Sequence, residues 1–442
     1  MVHDINIAIC PMSFSKLTVP KPASFPTFAC CHLELKNDEI LFYDSRNEIS
    51  AEDIPDGTKA IIFGDRCKRP IDASILPETL MYIRFGRKFN HLIDLSDLLN
   101  LEHIEFGDYF DQVIDGIFPP GLKSVKFGYK FNQPIHRDTF PDNLTHIEFG
   151  QCFDQPIMPE FFPRYLECIK FGFCFNQTVD VSDLYALEYI EFGHDFDRLV
   201  DRCLPDSLIC LSFGAEFNQH IDMTQLVNLI YIKFGWSFNQ PIIGCFPSSL
   251  EHIEFGYCFD QEFNAVDLHN LRHVEFGDNF SHIIDAEFLP KSLEYIDFGN
   301  SFNHLVYLTS MHNLKYAVFG RGFNQPIDRI FPDSLEYVRF GNRFDQLVCI
   351  EHLPTNLLYM SISNKSMLEH LDSVGDSIYF SVIFDGVMTE MIGVVYSVLH
   401  ADYSESCRYN VIGTEIINGK EYDRIITPDM YQPKTRAKSA RK

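Results

Sequence analysis

The chain has 442 residues and carries 62 Asp and Glu against 36 Lys and Arg, a formal net charge of -26. This charge disfavours nucleic acid and anionic membrane surfaces, and it favours a partner protein with a basic surface. The thirteen cysteines show no zinc-like spacing, the N-terminus lacks a secretory signal pattern, and no apolar run reaches the roughly 18 residues that span a bilayer, so we expect reduced thiols and a cytoplasmic location.

Residues 1–54 precede the regular part of the chain. Four prolines in the first thirty residues favour extended segments, and the stretch 32–43 predicts a short strand, a turn and a second strand. Because a repeat array exposes the apolar edge of its first turn, this region is interpreted as an N-terminal cap.

From residue 55 to residue 363 the chain repeats one short motif, I-x-F-G-x-x-F-[ND]-Q-x-[IV], as in residues 232–242. The Phe-Gly pair recurs every 21 or 22 residues, with Phe at positions 63, 85, 106, 127, 149, 171, 192, 213, 234, 255, 276, 298, 319 and 340. A fifteenth, degenerate unit places Ile362 and Ser363 in the same two positions. A fixed period in the twenties predicts a solenoid in which each turn contacts only its neighbours.

Two phrases within the units carry a family resemblance. The phrase F-N-Q-P-I at 131–135, 238–242 and 323–327, with F-P-x-x-L at 246–250 and 331–335, resembles FNIP repeats, which belong to the leucine-rich-repeat-like superfamily and are expanded in social amoebae and in giant viruses of amoebae. The resemblance implies a β-rich solenoid with one short strand per turn in a continuous parallel sheet, irregular returns and terminal caps. The Tyr-rich face of this sheet and the lack of a catalytic motif predict a non-enzymatic scaffold for protein–protein interaction.

Two other functions remain open beside the scaffold. Several FNIP proteins carry an N-terminal F-box, and such a module would make the chain a substrate-recruiting adaptor of a ubiquitin ligase. Residues 1–54 show no F-box pattern, since they lack a helical Leu/Ile periodicity. A structural or virion-associated role is the other alternative.

Each unit reads as strand, turn and return. In the third unit, Ile104 and Phe106 alternate with His103 and Glu105, which is the period-2 pattern of a half-buried strand. Gly107 follows and suits a turn that needs a positive φ. The chain is expected to return through a Pro segment or through a short polar segment that forms a single helical or 3₁₀ turn.

Stacked turns predict columns of equivalent side chains about 4.8 Å apart. Two Phe columns, one beginning at Phe85 and the other at Phe89, are expected to form aromatic ladders in the core. A column of Asn and Asp beginning at Asn90 is expected to satisfy backbone groups of the turns.

Two further columns occupy the face of the strands that is not core. Position -3 from the strand Phe is mainly Tyr, His or Cys, and position -1 is mainly charged. Both columns are expected on one exposed face, because they are two residues apart on a strand. From Arg84 to Glu191 the charges alternate in sign, which predicts cross-strand ion pairs. Glu254, Glu275 and Asp297 are instead like charges on adjacent strands, a run that a basic partner would neutralise.

The candidate partner-binding residues are this acidic run and its aromatic and His neighbours. They are Tyr231, His252, Glu254, His273, Glu275, Tyr295 and Asp297. Tyr supplies contact area at low entropic cost, which favours a protein-binding surface. A His/Glu grid could also hold a divalent metal, but an ordinary polar patch is the simpler interpretation, and no metal site is predicted. No catalytic motif or phosphate-binding glycine loop occurs, so neither catalytic residues nor a cofactor are predicted.

Beyond residue 363 the repeat pattern is lost. Residues 364–430 contain two apolar runs rich in β-branched residues, at 378–384 and 391–399, and are interpreted as a C-terminal cap or a small α+β module. An enzyme whose site lies in this region and whose array serves for targeting is a further alternative. Residues 431–442 are predicted to form a basic disordered tail.

Overall fold

The computed structural model describes residues 7–8, 32–33, 35–348, 352–357, 359–362, 379–382, 394–397, 411–417 and 420–426. They divide between two compact units, Met1–Gly256 and Tyr257–Lys442. The predicted basic tail and most of the two regions interpreted as caps lie outside the described residues.

The first unit contains one long parallel sheet and a separate pair of short strands. Its strands are β1 (Ile7–Ala8), β2 (His32–Leu33), β3 (Ile40–Tyr43), β4 (Ala60–Phe63), β5 (Tyr82–Arg84), β6 (His103–Glu105), β7 (Ser124–Lys126), β8 (His146–Glu148), β9 (Cys168–Lys170), β10 (Tyr189–Glu191), β11 (Cys210–Ser212), β12 (Tyr231–Lys233) and β13 (His252–Glu254). Strands β3 to β13 pair in sequence order and parallel, whereas β1 and β2 form a separate antiparallel pair. The two strands predicted within residues 32–43 are therefore present, but they belong to different sheets.

The second unit repeats this arrangement and then departs from it. Its strands are β14 (His273–Glu275), β15 (Tyr295–Asp297), β16 (Tyr316–Val318), β17 (Tyr337–Arg339), β18 (Tyr359–Ile362), β19 (Tyr379–Val382), β20 (Val394–Ser397), β21 (Val411–Ile417) and β22 (Lys420–Ile426). Strands β14 to β19 pair parallel, β20 joins β19 antiparallel, and β21 pairs antiparallel with β22. Strand β18 is the strand of the degenerate fifteenth unit.

The helical turns are few and short. The helices among the described residues are 3₁₀ turns at Asn37–Glu39, Ala51–Asp53, Ala73–Ile75, Pro159–Phe161 and Ala286–Phe288. The last three lie in returns of the Pro type, whereas the polar return at 94–100 forms hydrogen-bonded turns. Its Leu98 N–H donates to the Leu95 oxygen at 3.1 Å, so the segment contains a single turn closed by a 3₁₀-type bond. In the described part of the chain, every helix is too short or too polar to cross a membrane.

The core contains the two predicted Phe columns beside columns of Leu and Ile, which confirms the aromatic ladders. Phe106 and Phe110 are buried, and their ring centroids lie 4.0 Å apart. Each ring also stacks on its equivalent one turn later, Phe106 on Phe127 at 5.6 Å and Phe110 on Phe131 at 6.2 Å. Such parallel contacts add to the burial of apolar area that stabilises each pair of turns.

The Asn/Asp column satisfies turn backbone groups, as predicted. The Oδ1 atom of Asn132 accepts a hydrogen bond of 3.0 Å from the backbone N–H of Asp154 one turn later. The same oxygen accepts a second hydrogen bond, also of 3.0 Å, from Nε2 of Gln155. The Gln of the repeat motif therefore has a structural role beside the Asn, since it anchors its own turn to the preceding one.

The Gly of the Phe-Gly pair is required for a different reason from the one predicted. Gly107 does not lie in the left-handed region, and a Cβ atom at this position would sit 2.1 Å from the backbone oxygen of Gly86. Only glycine allows the backbones of consecutive turns to approach this closely. In this column the positive φ that we expected occurs at Gly299, with φ of 71°.

Candidate functional site

The charged column at position -1 forms the predicted cross-strand ion pairs in the first unit. The pairs are Arg84–Glu105 at 3.8 Å, Lys126–Glu148 at 2.6 Å and Lys170–Glu191 at 3.6 Å. Each joins neighbouring strands in register. This part of the face is electrostatically self-compensated, and exposed pairs of this kind contribute little to stability.

The column at position -3 is mostly buried, so the expectation that both columns are exposed is wrong. Only 1% of His103, 4% of Tyr189 and 6% of Tyr231 is accessible to solvent. The aromatic rings lie along the sheet instead of standing away from it: the Tyr189 hydroxyl donates to Glu191 Oε2 at 2.7 Å on the same strand. Side chains from neighbouring strands pack against one another. One buried cluster consists of Cys168, Tyr189, Cys210 and Tyr231.

Three of the predicted site residues lie on the last two strands of the first unit. Glu254, only 7% exposed, is ion-paired with Lys233 at 2.9 Å. His252 is half-buried and lies beside the buried Tyr231, with ring centroids 6.4 Å apart. Glu254 is therefore compensated within the sheet, and the predicted run of uncompensated acids does not include it.

The other four lie on β14 and β15 of the second unit. His273 is buried, its Nε2 atom lies 2.8 Å from Glu275 Oε1, and its ring stacks on Tyr295 at 4.1 Å. The pKa of the Asp297 carboxyl is raised to about 7, mainly by burial, while the Gly299 N–H lowers it and the Glu275 charge raises it. The geometry brings these four residues together, but Tyr295 and His273 offer almost no surface.

A groove runs along the C-terminal ends of strands β4 to β8 in the first unit. Its volume is about 690 Å³, and it is lined by the charged column, the Phe-Gly backbone and the turns that follow. At its floor and rim, charge is paired across turns, as in Arg87–Asp108 at 2.8 Å. The groove is shallow and mixed in charge, which suits an extended peptide or a protein surface better than an enclosed small molecule.

Three turns of the first unit, one of which lines this groove, carry exposed aromatic side chains that were not predicted from the sequence. We define the aromatic edge as Tyr129, Phe173 and Trp236, each the first residue after a Phe-Gly pair and 54%, 44% and 57% exposed. Tyr129 also lines the groove, and Phe173 stacks on His194 of the next turn at 4.2 Å. The signal was available, because this column is mostly polar, apart from Ala215 and Tyr257, and contains the chain's one Trp.

Metal binding receives no support from the described residues. Among them, no group of three or more His, Cys, Asp and Glu side chains has an arrangement that could hold a metal ion. The His252/Glu254 and His273/Glu275 pairs use at least part of their polar atoms within their own strands or with neighbours.

Comparison with known proteins identifies the repeat. Residues 47–88, 89–130, 131–174, 227–258, 259–301 and 313–365 match the FNIP Repeat family model. A comparison with curated proteins finds no match.

Several solved structures are similar in fold. The circular leucine-rich-repeat protein CroV588 is 26% identical, with a TM-score of 0.50 over 79% of this chain and 67% of that one. Toll, in the Toll–Spatzle complex of Drosophila, is 13% identical, with a TM-score of 0.50 over 74% and 57%. The functional domain of InlJ from Listeria monocytogenes, which includes a cysteine ladder, is 13% identical, with a TM-score of 0.48 over 69% and 68%.

Proposed function

The chain belongs to the FNIP repeat family, a leucine-rich-repeat-like solenoid, and we propose that it is a non-enzymatic scaffold that binds a protein partner with a basic, partly apolar surface. The partner would contact the first unit along the groove and the aromatic edge. The single observation that carries this proposal is the exposure of Tyr129, Phe173 and Trp236 on the turns of one continuous sheet.

Exposed aromatic residues of this size favour partner binding for a physical reason. A sheet core needs no large apolar side chain on its outer turns, and burying one in an interface gains about 25 cal/mol for each Å² of apolar area removed from water. Trp and Tyr dominate the energetics of many interfaces because they bury a large area with few rotatable bonds. The aromatic edge therefore supplies affinity, and the net charge of -26 supplies attraction towards a basic partner.

The seven residues chosen from the sequence remain a proposed part of the contact surface. Their half-buried members are His252 in the first unit and Glu275 and Asp297 in the second. In each unit separately, an Arg or Lys of the partner would approach these side chains from the solvent side. The buried Tyr231 and Tyr295 would then position neighbouring polar groups and make no contact of their own.

The proposal can be tested with a displayed library of short random peptides selected on the full chain. We expect the selected peptides to combine Lys or Arg with an aromatic or aliphatic residue. The triple variant Tyr129→Ser, Phe173→Ser, Trp236→Ser should bind them at least about tenfold more weakly, as loss of an interface hot spot does.

A matched control removes three apolar side chains from the other side of the turns. Leu99, Tyr185 and Val227 occupy equivalent positions in three returns and are 67%, 75% and 62% exposed. Their triple Ser variant should bind the selected peptides like the parent chain. If both triple variants bind equally well, or if only the return variant loses binding, the aromatic edge is not the binding surface.

A further inference from the structure

Cys152 and Cys174 occupy the same position in two consecutive turns of the first unit, the second residue after the Phe-Gly pair. Both are free thiols and half-buried. The backbone N–H of Cys152 donates to the Tyr129 oxygen at 2.9 Å, and that of Cys174 donates to the Gln151 oxygen at 2.8 Å. These bonds hold the turns in register, which places the two Cα atoms about 5 Å apart, the spacing of neighbouring strands.

Because both cysteines occupy the same position in consecutive turns, their side chains start from neighbouring backbone sites on the same edge of the stack. A disulfide needs Cα atoms roughly 4.4 to 6.8 Å apart, and the spacing of consecutive turns lies within that range. Cys203 and Cys245 are a useful contrast in the same unit. Their backbone oxygens accept hydrogen bonds from the N–H groups of Val181 and Met223, so they occupy equivalent positions in returns that are two turns apart. The distance between two such turns is roughly 10 Å, which lies outside that range.

We propose that Cys152 and Cys174 are a thiol-oxidation site that forms an intramolecular disulfide between turns by exchange with a small disulfide such as oxidised glutathione. One protein thiolate attacks a sulfur of oxidised glutathione, and one glutathione thiolate leaves with the electron pair of the broken S–S bond. The second protein thiolate then attacks the mixed disulfide and expels the remaining glutathione thiolate. The two protons of the cysteines end on two glutathione thiols, so the protein loses two hydrogen atoms and the glutathione disulfide gains them.

Burial raises the pKa of the Cys174 thiol, as do its neighbours Cys152, Asp195 and Asp154. Because the thiolate is the nucleophile, attack by Cys174 should become faster as the pH rises.

The bridge would lie on the turns between Tyr129 and His194, inside the aromatic edge. Oxidation would then link the turn that carries Phe173 to the turn before it. An effect of this link on partner binding rests on the proposed function. The oxidation chemistry itself requires no partner protein. Its test can therefore fail while the binding test succeeds, and the reverse.

The experiment treats the folded full chain with oxidised glutathione, blocks the remaining thiols by alkylation and maps the peptides without reduction. We expect a peptide pair linked through Cys152 and Cys174, with the loss of two hydrogen atoms and no retained glutathione. In the variant Cys174→Ser the second thiol is absent, and glutathione should stay attached to Cys152. In Cys152→Ser glutathione should likewise stay attached to Cys174, and its attachment should accelerate as the pH rises.

The double variant Cys203→Ser, Cys245→Ser is the matched control and should keep the Cys152–Cys174 link. Circular dichroism of each reduced variant verifies the fold before oxidation. The proposal is overturned if Cys152 and Cys174 are recovered singly alkylated or singly glutathionylated, or if the linked pair forms only after the chain is unfolded.

Discussion

Three carboxylates at the same repeat position show three ways in which a sheet tolerates an acid at position -1. Glu254 pairs with Lys233 on the preceding strand, and Glu275 contacts His273 on its own strand. Asp297 makes neither kind of contact, and its carboxyl accepts a hydrogen bond of 2.9 Å from the N–H of Gly299. Burial raises its pKa by more than the Gly299 N–H and the Arg339 charge lower it, so at this position the proton itself relieves the repulsion from Glu275.

This residue predicts a pH dependence of stability in the second unit. The folded pKa of Asp297, about 7, lies above its ordinary value of 3.8. The folded chain therefore binds this proton more tightly than the unfolded chain, and the stability it contributes is full below about pH 4 and is lost as the pH rises through about 7. Asp297→Asn removes the titration but keeps an oxygen for the Gly299 N–H. It should stabilise the chain by about 4 kcal/mol at about pH 8.5 and by roughly 2 kcal/mol at about pH 5, where the folded carboxyl is still protonated.

Thermal unfolding of parent and variant at the two pH values measures this difference. Asp267→Asn is the matched control, because Asp267 is an exposed carboxylate of the same unit, and its effect should not change between the two values. A variant that is less stable than the parent at the higher pH would show that Asp297 is charged and favourably solvated in the fold.

At the scale of the element, the turn after each strand decides how closely the repeats can stack. A Cβ atom on Gly193 would lie 1.7 Å from the backbone oxygen of Gly172, whereas one on Gly244 would meet nothing within 4 Å. Gly244 instead has φ of 76°. One glycine is therefore needed for space and the other for its backbone conformation.

These two positions predict different costs for the same substitution. Gly193→Ala must push apart two backbones that are hydrogen-bonded on both sides, which we expect to cost about 3 kcal/mol or more. Gly244→Ala costs only the strain of a left-handed alanine, about 1 kcal/mol. Urea unfolding of the two single variants measures both values. Equal losses would indicate that the close backbone contact at Gly193 relaxes without penalty.

The strands, their order and the Phe ladders follow from the sequence, because a period of 21 or 22 residues and an alternation of two leave few arrangements open. The exposure of the non-core face does not follow. Alternation places Tyr189 on that face, but whether its ring stands in solvent or lies against Glu191 depends on its neighbours at about 4.8 Å in both directions. Likewise, the role of Gly107 depends on an atom one turn away, which no local pattern specifies.

At the scale of the whole molecule, charge and aromatic surface have separable effects on binding. A net charge of -26 attracts a basic partner over distances comparable with the Debye length, about 10 Å at 0.1 M salt, and acts mainly on the association rate. The aromatic edge acts only after contact, through buried apolar area, and so mainly on the dissociation rate.

The peptides selected on the full chain should therefore associate about tenfold more slowly when salt rises from about 0.05 M to about 0.5 M, with little change in dissociation. In the Tyr129→Ser, Phe173→Ser, Trp236→Ser variant, dissociation should be faster at every salt concentration, while the salt dependence of association should be that of the parent. Kinetic measurements of binding to the immobilised chain distinguish the effect of charge from the effect of the aromatic edge. The triple Ser variant of Leu99, Tyr185 and Val227 is the control. An association rate that is indifferent to salt would remove the basic surface from the description of the partner, because the acidic charge would then contribute nothing to recognition.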